Sequence, residues 1–318
     1  MARNLIIGGA GFIGGNLARK LVEAGEDVKI FTRPSSSIVN IQDILDDIEI
    51  AYGDFSDDIA LRNALTDVDV VYHLISTTFP SMTVASSVYD VLSNLLPTIR
   101  LVELCLANGI KKMVYASSGG TVYGEPKTAL VSENHPLMPT SAYGQSKLTI
   151  ENYLSFYART SDIDVSILRI SNPFGPGQKL FGVQGIIAVT IGCALYDRVL
   201  SVYGQGDAIR DYIYIDDVVD ALKLAAETAG SMIINVSSGK GKSVLEIISA
   251  IEEISNQEIR KKYVPGRPGD VKVNVLSNEV ACKMLGWEPK VKFEDGIKAT
   301  WEREYQKAKG KSTNSSTD

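Results

Sequence analysis

Short apolar runs alternate with amphipathic stretches through the first half of the chain. Asn4–Ile7, Val28–Phe31, Ile48–Tyr52, Val68–Leu74, Lys112–Ala116 and Asp164–Arg169 read as strands. Between them, Gly11–Ala24, Ile59–Leu65, Ser86–Asn108 and Ala142–Thr160 carry the apolar spacing of helices. In the first of these, Phe12, Ala18, Leu21 and Val22 share one side. Repeated βα units of this kind predict an α/β fold, a Rossmann-type doubly wound parallel sheet with helices on both faces.

After about residue 172 the pattern loosens, broken by Pro173, Gly175, Pro176 and Gly177. Ile186–Leu195, Asp216–Thr228, Ser243–Glu253 and Asn278–Gly286 read as further helices, and Val264–Asp270 as a Pro/Gly loop. The expectation is a smaller mixed α/β substrate domain interleaved with the first. Residues 1–172 and 208–236 would form the dinucleotide-binding domain, and 173–207 with 237–305 the smaller one. Residues 306–318 are polar without apolar periodicity, which predicts a disordered tail.

Composition narrows the function classes. Of 318 residues, 32 are basic and 38 acidic, and no long Lys/Arg block stands out, so nothing suggests a nucleic-acid or anionic-membrane partner. No apolar run is long enough to span a membrane, and the glycines at the N-terminus argue against a signal peptide. Cys105, Cys193 and Cys282 are scattered, which fits a reducing cytoplasm better than a disulfide framework. With His73 and His135 the only histidines, a multi-histidine metal site is excluded.

Gly8, Gly11 and Gly14 form G-x-x-G-x-x-G between the first strand and the first helix, with Phe12 and Ile13 inside the turn. Glycine allows the tight turn and the close approach of backbone to a pyrophosphate, and the helix N-terminus offers unpaired N–H groups to the anion. Strand two ends in Phe31-Thr32-Arg33-Pro34-Ser35 without the carboxylate that usually reads the ribose of NAD. Arg33 with serines suits the 2′-phosphate of NADP, or stacking on the adenine of NAD, and both remain open. Asp54-Phe55, after the third strand, offers an adenine contact.

Tyr143 and Lys147 stand at i, i+4 near the start of a helix and share one face. An ammonium near a phenol stabilises phenolate, so the spacing predicts a tyrosine pKa drawn toward neutrality and a base for a hydroxyl proton.

With these residues the sequence resembles the extended short-chain dehydrogenase/reductase family, especially its nucleotide-sugar 4-epimerase branch. The matching segments are GGAGFIGGNLARKL, GDF, VVYHL, VLSNLLPT, YASSGGTVYGEP, YGQSK, LRISNPFGPGQ, YGQGDAIRDYIYIDDVVDAL and GRPGDV, from about residue 5 to 300. The resemblance implies bound NAD, with NADP possible, and places Leu74, Ser76, Asn94 and Ser117 beside it. It assigns the sugar-facing hydroxyl to Ser118, counting forward from the strand, with Thr121 as a substitute because the loop is one residue longer. It also implies Thr78, Asn172, Val202, Tyr203, Arg210, Arg267 and Asp270 as contacts to a nucleoside-diphosphate sugar. The two guanidinium forks suit the diphosphate, and Val202 with Tyr203 would pack on the base.

The sequence departs from the family at Leu74-Ile75-Ser76-Thr77, where small residues are usual, and carries the small Asn274 where sugar-pocket size varies. Gly241-Lys242-Ser243 only mimics a P-loop, because Val236 occupies the required first glycine. Family dehydratases and decarboxylases carry carboxylates after the serine, and one reductase branch needs a Cys–His pair; Ser117-Ser118-Gly119-Gly120 has neither. The expected activity is therefore 4-epimerisation of a UDP-sugar. An NADPH-dependent carbonyl or keto-sugar reductase is the alternative, and a non-catalytic nucleotide-binding or redox-sensing protein a remote one. The family also implies a homodimer through the two long helices Ser86–Asn108 and Ala142–Thr160.

Overall fold

The computed structural model describes residues 2–79, 87–266 and 271–314. Strands β1 (Arg3–Ile7), β2 (Asp27–Thr32), β3 (Glu49–Tyr52), β4 (Val70–His73), β5 (Lys112–Ser118) and β6 (Asp164–Ile170) follow in chain order. Later come β7 (Asn172–Phe174), β8 (Leu200–Tyr203), β9 (Ile209–Tyr214), β10 (Met232–Val236), β11 (Gly241–Ser243), β12 (Lys261–Val264) and β13 (Val273–Asn274). The main sheet has the order β10-β6-β5-β4-β1-β2-β3, parallel throughout. Strand order reverses between β1 and β4, which opens a crevice at their carboxyl ends.

Alternation along β1 feeds both faces of the sheet. Ile6 joins the core cluster that contains Leu17 and Leu21 of helix α1 (Phe12–Glu23). Leu5 and Ile7 join the opposite cluster, with Leu61 of α2 (Asp58–Ala64) and Ile110 and Met113 beyond it. This two-sided burial explains why the strands read as continuous apolar runs.

The long helix expected from Ser86 is described from Ser87 and is composite: α3 (Ser87–Asp90), a π turn (Val91–Leu95) and α4 (Leu96–Ala107). Pro97 lacks the N–H that would bond the Ser93 carbonyl, and its ring crowds that turn, a sufficient cause for the local widening. Helix α5 (Ala142–Thr160) matches its expected span, capped by the Ser141 hydroxyl, which accepts from Gly144 N at 3.1 Å.

The remaining helices are α6 (Ile186–Leu195), α7 (Ile215–Glu227), α8 (Val244–Ser255), α9 (Glu279–Leu285) and α10 (Phe293–Asn314). Strand β9 pairs with β7, β11 and β13 in a second, smaller sheet, so from segment 208–236 only α7 and β10 return to the main domain. Helix α10 continues through residues 306–314, where the polar sequence predicts a disordered tail. Trp301 and Tyr305 stack with centroids 5.8 Å apart, and Ile297 and Trp301 are buried, so its first turns are anchored and the polar turns propagate from them.

One buried carboxylate joins the two domains. Asp211 of β9 accepts from Ser171 Oγ at 3.2 Å, Ser238 N at 2.9 Å, Gly239 N at 3.0 Å and Leu276 N at 3.3 Å. Those donors sit beyond the ends of β6, β10 and β13, so the small sheet is pinned against the main one.

Candidate active site

The glycine turn lies at the crevice. Gly8 has φ +86°, and a Cβ on Gly14 would fall 2.5 Å from the Gly8 carbonyl oxygen and 2.6 Å from Gly9 Cα. Gly11 N bonds the Gly8 carbonyl at 3.0 Å. No side chain caps α1 and no acidic residue occupies its first turn. The turn therefore has the compact backbone and positive helix end that fit a pyrophosphate. Phe12 and Ile13 pack their side chains toward the core, so contact with a ligand falls to their backbone.

At the adenosine end Thr32 is buried, its carbonyl accepting from Gly53 N at 3.0 Å. Arg33 and Asp54 are both exposed beside it. Hydrogen bonds from Ser56 hold the Asp54 carboxyl below its ordinary value, and the Arg33 charge adds to this. The Phe55 ring is buried 5.2 Å from the His73 ring, which leaves only its backbone for a cofactor.

Tyr143 and Lys147 project from the first turns of α5 toward the end of β5. Lys147 is buried, donates to the Ala116 carbonyl at 2.9 Å, and lies 4.7 Å over the Tyr115 ring and 5.7 Å from the Tyr143 ring centre. Burial pulls its ammonium down to about 8, opposed by the carboxylates of Glu151 and Asp90. The Ser118 and Ser76 hydroxyls stand near enough to Tyr143 to draw its phenol down. The expected low phenol is not what the protein alone produces. Burial pushes Tyr143 up to about 12, against the downward pull of Ser118 and Ser76, and Lys147 directs its ammonium to the Ala116 carbonyl instead.

The two candidate hydroxyls are placed differently. Thr121 Oγ1 turns to the Ser118 carbonyl at 3.4 Å, while the Ser118 hydroxyl lies close enough to Tyr143 to draw its phenol down. The adjoining loop has no room for a side chain at Gly119, whose Cβ would meet Leu276 at 2.3 Å. Gly120 faces Ser118 Oγ and Asn172 Oδ1, each 3.9 Å from where a Cβ would stand.

Several expected contacts point elsewhere. The Ser117 hydroxyl is buried and donates to Glu151, which also accepts from Arg169 Nη2 at 2.7 Å, so Ser117 faces away from a cofactor. Asn94 accepts from Thr77 N at 2.9 Å and donates to Asp90 Oδ1 at 2.7 Å, and so fastens the loop after β4. Thr78 spends its hydroxyl on Asp90 at 3.0 Å. Leu74 packs on the core, and exposed Ser76 bonds the Thr78 carbonyl at 3.1 Å. Val202 is fully buried in the core, because alternation along β8 turns Val202 inward and exposes Tyr203.

On the sugar side Asn172 donates to the Asp211 carbonyl at 2.9 Å and lines a cleft with Gln178, Gly185, Ile186 and Tyr212. Arg210, on β9 opposite Asn274, donates to the Ile209 carbonyl at 2.9 Å. Asn274 is buried, donates to the Gly119 carbonyl at 3.2 Å, and has no partner for its Oδ1. Arg267 and Asp270 lie outside the described residues.

The sequence assigns no role to two buried polar residues of this region, although His73 lies within the matching segment VVYHL. His73 Nε2 meets Thr98 Oγ1 at 2.7 Å, and Thr98 already donates to the Asn94 carbonyl at 2.6 Å. That assigns the proton to Nε2 and leaves Nδ1 as a bare acceptor without a partner. Burial pulls this histidine down to about 3. Asp90 is the other.

The sequence model of the family described as GDP-mannose 4,6 dehydratase matches residues 5–300. The chain belongs to this family, the NAD-dependent epimerase/dehydratase group of extended short-chain dehydrogenases/reductases. Among its relatives in the family, a putative UDP-glucose 4-epimerase of Methanocaldococcus jannaschii is 36% identical over 92% of this chain and 95% of that protein. A dTDP-4-dehydro-6-deoxyglucose reductase of Escherichia coli is 33% identical over 92% and 94%. Among solved members, the UDP-glucose 4-epimerase of Thermotoga maritima with UDP-glucose superposes with a TM-score of 0.90 at 31% identity, covering 96% of this chain and 99% of that one. The Thermus thermophilus UDP-glucose 4-epimerase in complex with NAD gives 0.88 at 31%, covering 94% and 98%.

Proposed function

We propose that the protein is a UDP-sugar 4-epimerase that works through reversible oxidation at C4 by tightly held NAD. The observation that carries this reading is the Ser118–Tyr143–Lys147 set facing a Gly119–Gly120 loop that has no carboxylate. The family name speaks of a dehydratase, but water elimination needs an acid and a base in that loop. The epimerase relatives and the NAD and UDP-glucose complexes of the neighbouring structures support the substrate class and the cofactor.

When bound, the dinucleotide supplies the hydride acceptor and, in its oxidised form, a positive charge. Gly8, Gly11 and Gly14 would hold its pyrophosphate, and Arg33 with Asp54 its adenosine. Tyr143 takes the C4 hydroxyl proton and later returns it. Ser118 holds that oxygen in line, and Lys147 offsets the negative charge as it develops. Arg210 and Arg267 clamp the diphosphate, and Tyr203 packs on the base. Asn274 leaves room beside the sugar, which makes N-acetylhexosamines substrates to include.

An exposed apolar face supports a homodimer. Val88 is 71%, Leu92 55% and Phe156 48% exposed, along α3, the π turn and α5. Exposed apolar side chains of this kind suit a four-helix contact with a second copy. No described helix is long and apolar enough to cross a membrane, and the free thiols of Cys105, Cys193 and Cys282 suit the cytoplasm.

A reductase is the second reading, favoured by Thr32-Arg33 in place of a ribose-reading carboxylate and by the Escherichia coli relative. Incubation with UDP-glucose, UDP-galactose and their N-acetylated forms, without added nicotinamide, tests the choice by NMR. Interconversion supports the epimerase. No conversion, together with NADPH consumed in proportion to an added keto-sugar, overturns it.

A further inference from the structure

The catalytic cavity contains an ionisable group that the Ser118–Tyr143–Lys147 chemistry leaves unused. Asp90 lines it with Ser76, Thr78, Tyr143 and Lys147, and is 2% exposed. Both described donors reach the same oxygen: Thr78 Oγ1 at 3.0 Å and Asn94 Nδ2 at 2.7 Å converge on Oδ1. Asp90 closes α3 just before the π turn, and Asn94 reaches back to it from within that turn. Burying a carboxylate is costly unless donors and a counter-charge compensate, and Lys147 in the same cavity is a cation whose hydrogen-bond acceptor among the described residues is a backbone carbonyl.

We propose, building on the catalytic assignment of Tyr143 and Lys147, that Asp90 is the carboxylate lining the pocket that opposes negative charge on the Tyr143 phenol and, together with Glu151, offsets the Lys147 ammonium. Of the other titratable groups, His73 from β4 lines this cavity, while Tyr115 from β5 and Glu151 from α5 stand behind the lining and act on it through their charge or dipole. His73 is held neutral by burial and Tyr115 is protonated. Glu151 is engaged by Arg169 and Ser117. Among the described residues Asp90 is thus the carboxylate that acts on the phenol, whereas on Lys147 Glu151 acts more strongly than Asp90. Burial is the main reason Tyr143 stands high and Lys147 low; the Asp90 charge adds to the first and works against the second. Ionisation of Tyr143 then becomes conditional on positive charge entering the pocket, as an oxidised nicotinamide brings it. Asp90 acts through the catalytic pair and is a positioning residue in that sense.

The test uses Asp90→Asn, and Asp90→Ser, which keeps an acceptor in a smaller side chain. Tyrosinate difference absorbance, taken against the same protein carrying Tyr143→Phe, reads the Tyr143 titration without any turnover. Removing the charge is expected to lower that midpoint by about one pH unit. Both limbs of the pH–turnover profile should move down with it, the acid limb through Tyr143 and the alkaline limb through Lys147. Folding is checked by circular dichroism. A folded variant whose Tyr143 titration stays at the wild-type midpoint overturns the proposal, as does lower turnover with both limbs unmoved. A wild-type protein that converts no nucleotide sugar, while its phenol still responds to Asp90, would overturn the epimerase reading and leave this one standing.

Discussion

The Lys147 ammonium donates to the Ala116 carbonyl at 2.9 Å and so ties the second turn of α5 to the end of β5. With burial drawing Lys147 down to about 8, its charge is lost as pH rises through that value, and turnover should fall with it. Lys147→Arg keeps a permanent charge that cannot reproduce this tie. It is expected to lower kcat/KM by roughly 100-fold while removing the alkaline limb near pH 8. A pH profile of kcat/KM for both proteins checks this.

Adjacent serines should separate cleanly. Ser118→Ala removes the hydroxyl proposed to hold the sugar oxygen beside Tyr143, and kcat is expected to drop by about 10- to 100-fold, the worth of a hydrogen bond to a charged group. Ser117→Ala strips a donor from the buried Glu151–Arg169 pair, so its cost should appear as a lower melting temperature with kcat nearly unchanged. Tyr143→Phe should cost roughly 10²- to 10⁴-fold in kcat with nicotinamide still bound. Steady-state kinetics beside thermal melts distinguish the three.

Gly14→Ala places a methyl group 2.5 Å from the Gly8 carbonyl, and the contact is backbone on backbone, so no rotamer relieves it. The turn must open. The variant is expected to purify with little bound nicotinamide, measured by mass spectrometry of the denatured supernatant. Full occupancy would remove the turn from the cofactor site.

How much of this was legible in the chain depends on range. Gly8, Gly11, Gly14, Tyr143 and Lys147 act through spacings of a few residues, and α5 was readable to both ends from its periodicity. Strands β7, β11 and β13 are two or three residues long, too short for alternation to declare them. β9 reads as apolar, but which sheet it joins depends on partners far away in sequence. Ser117 and Ser118 are neighbours, and only the strand pleat shows that one faces Glu151 and the other Tyr143. Asp90 and His73 acquire their meaning from Thr78, Asn94 and Thr98, contacts formed when β4 meets the helix after it. The lowered phenol failed as an expectation because i, i+4 spacing places two side chains on one face without fixing what else each one bonds.

His73 predicts an acid weakness. Its folded value of about 3 lies below the ordinary 6.5, so the unfolded chain binds a proton there that the folded one refuses. Stability from this residue is complete above about pH 6.5 and is lost progressively as pH falls toward 3. His73→Gln keeps a hydrogen-bonding group without a titration. Its melting temperature should decline less steeply between pH 6.5 and 4.5 than that of the wild type, as followed by circular dichroism.

Helix α5 bears Tyr143 and Lys147 in its first turns and the exposed rings of Tyr153 and Phe156 further along. At about 1.5 Å per residue, Phe156 sits about 20 Å down the same rod from the reacting phenol. Whatever covers those rings therefore grips the handle of the catalytic tool. The aim of the phenol is set at one end by the carbonyl of β5 and at the other by the neighbour the helix leans on.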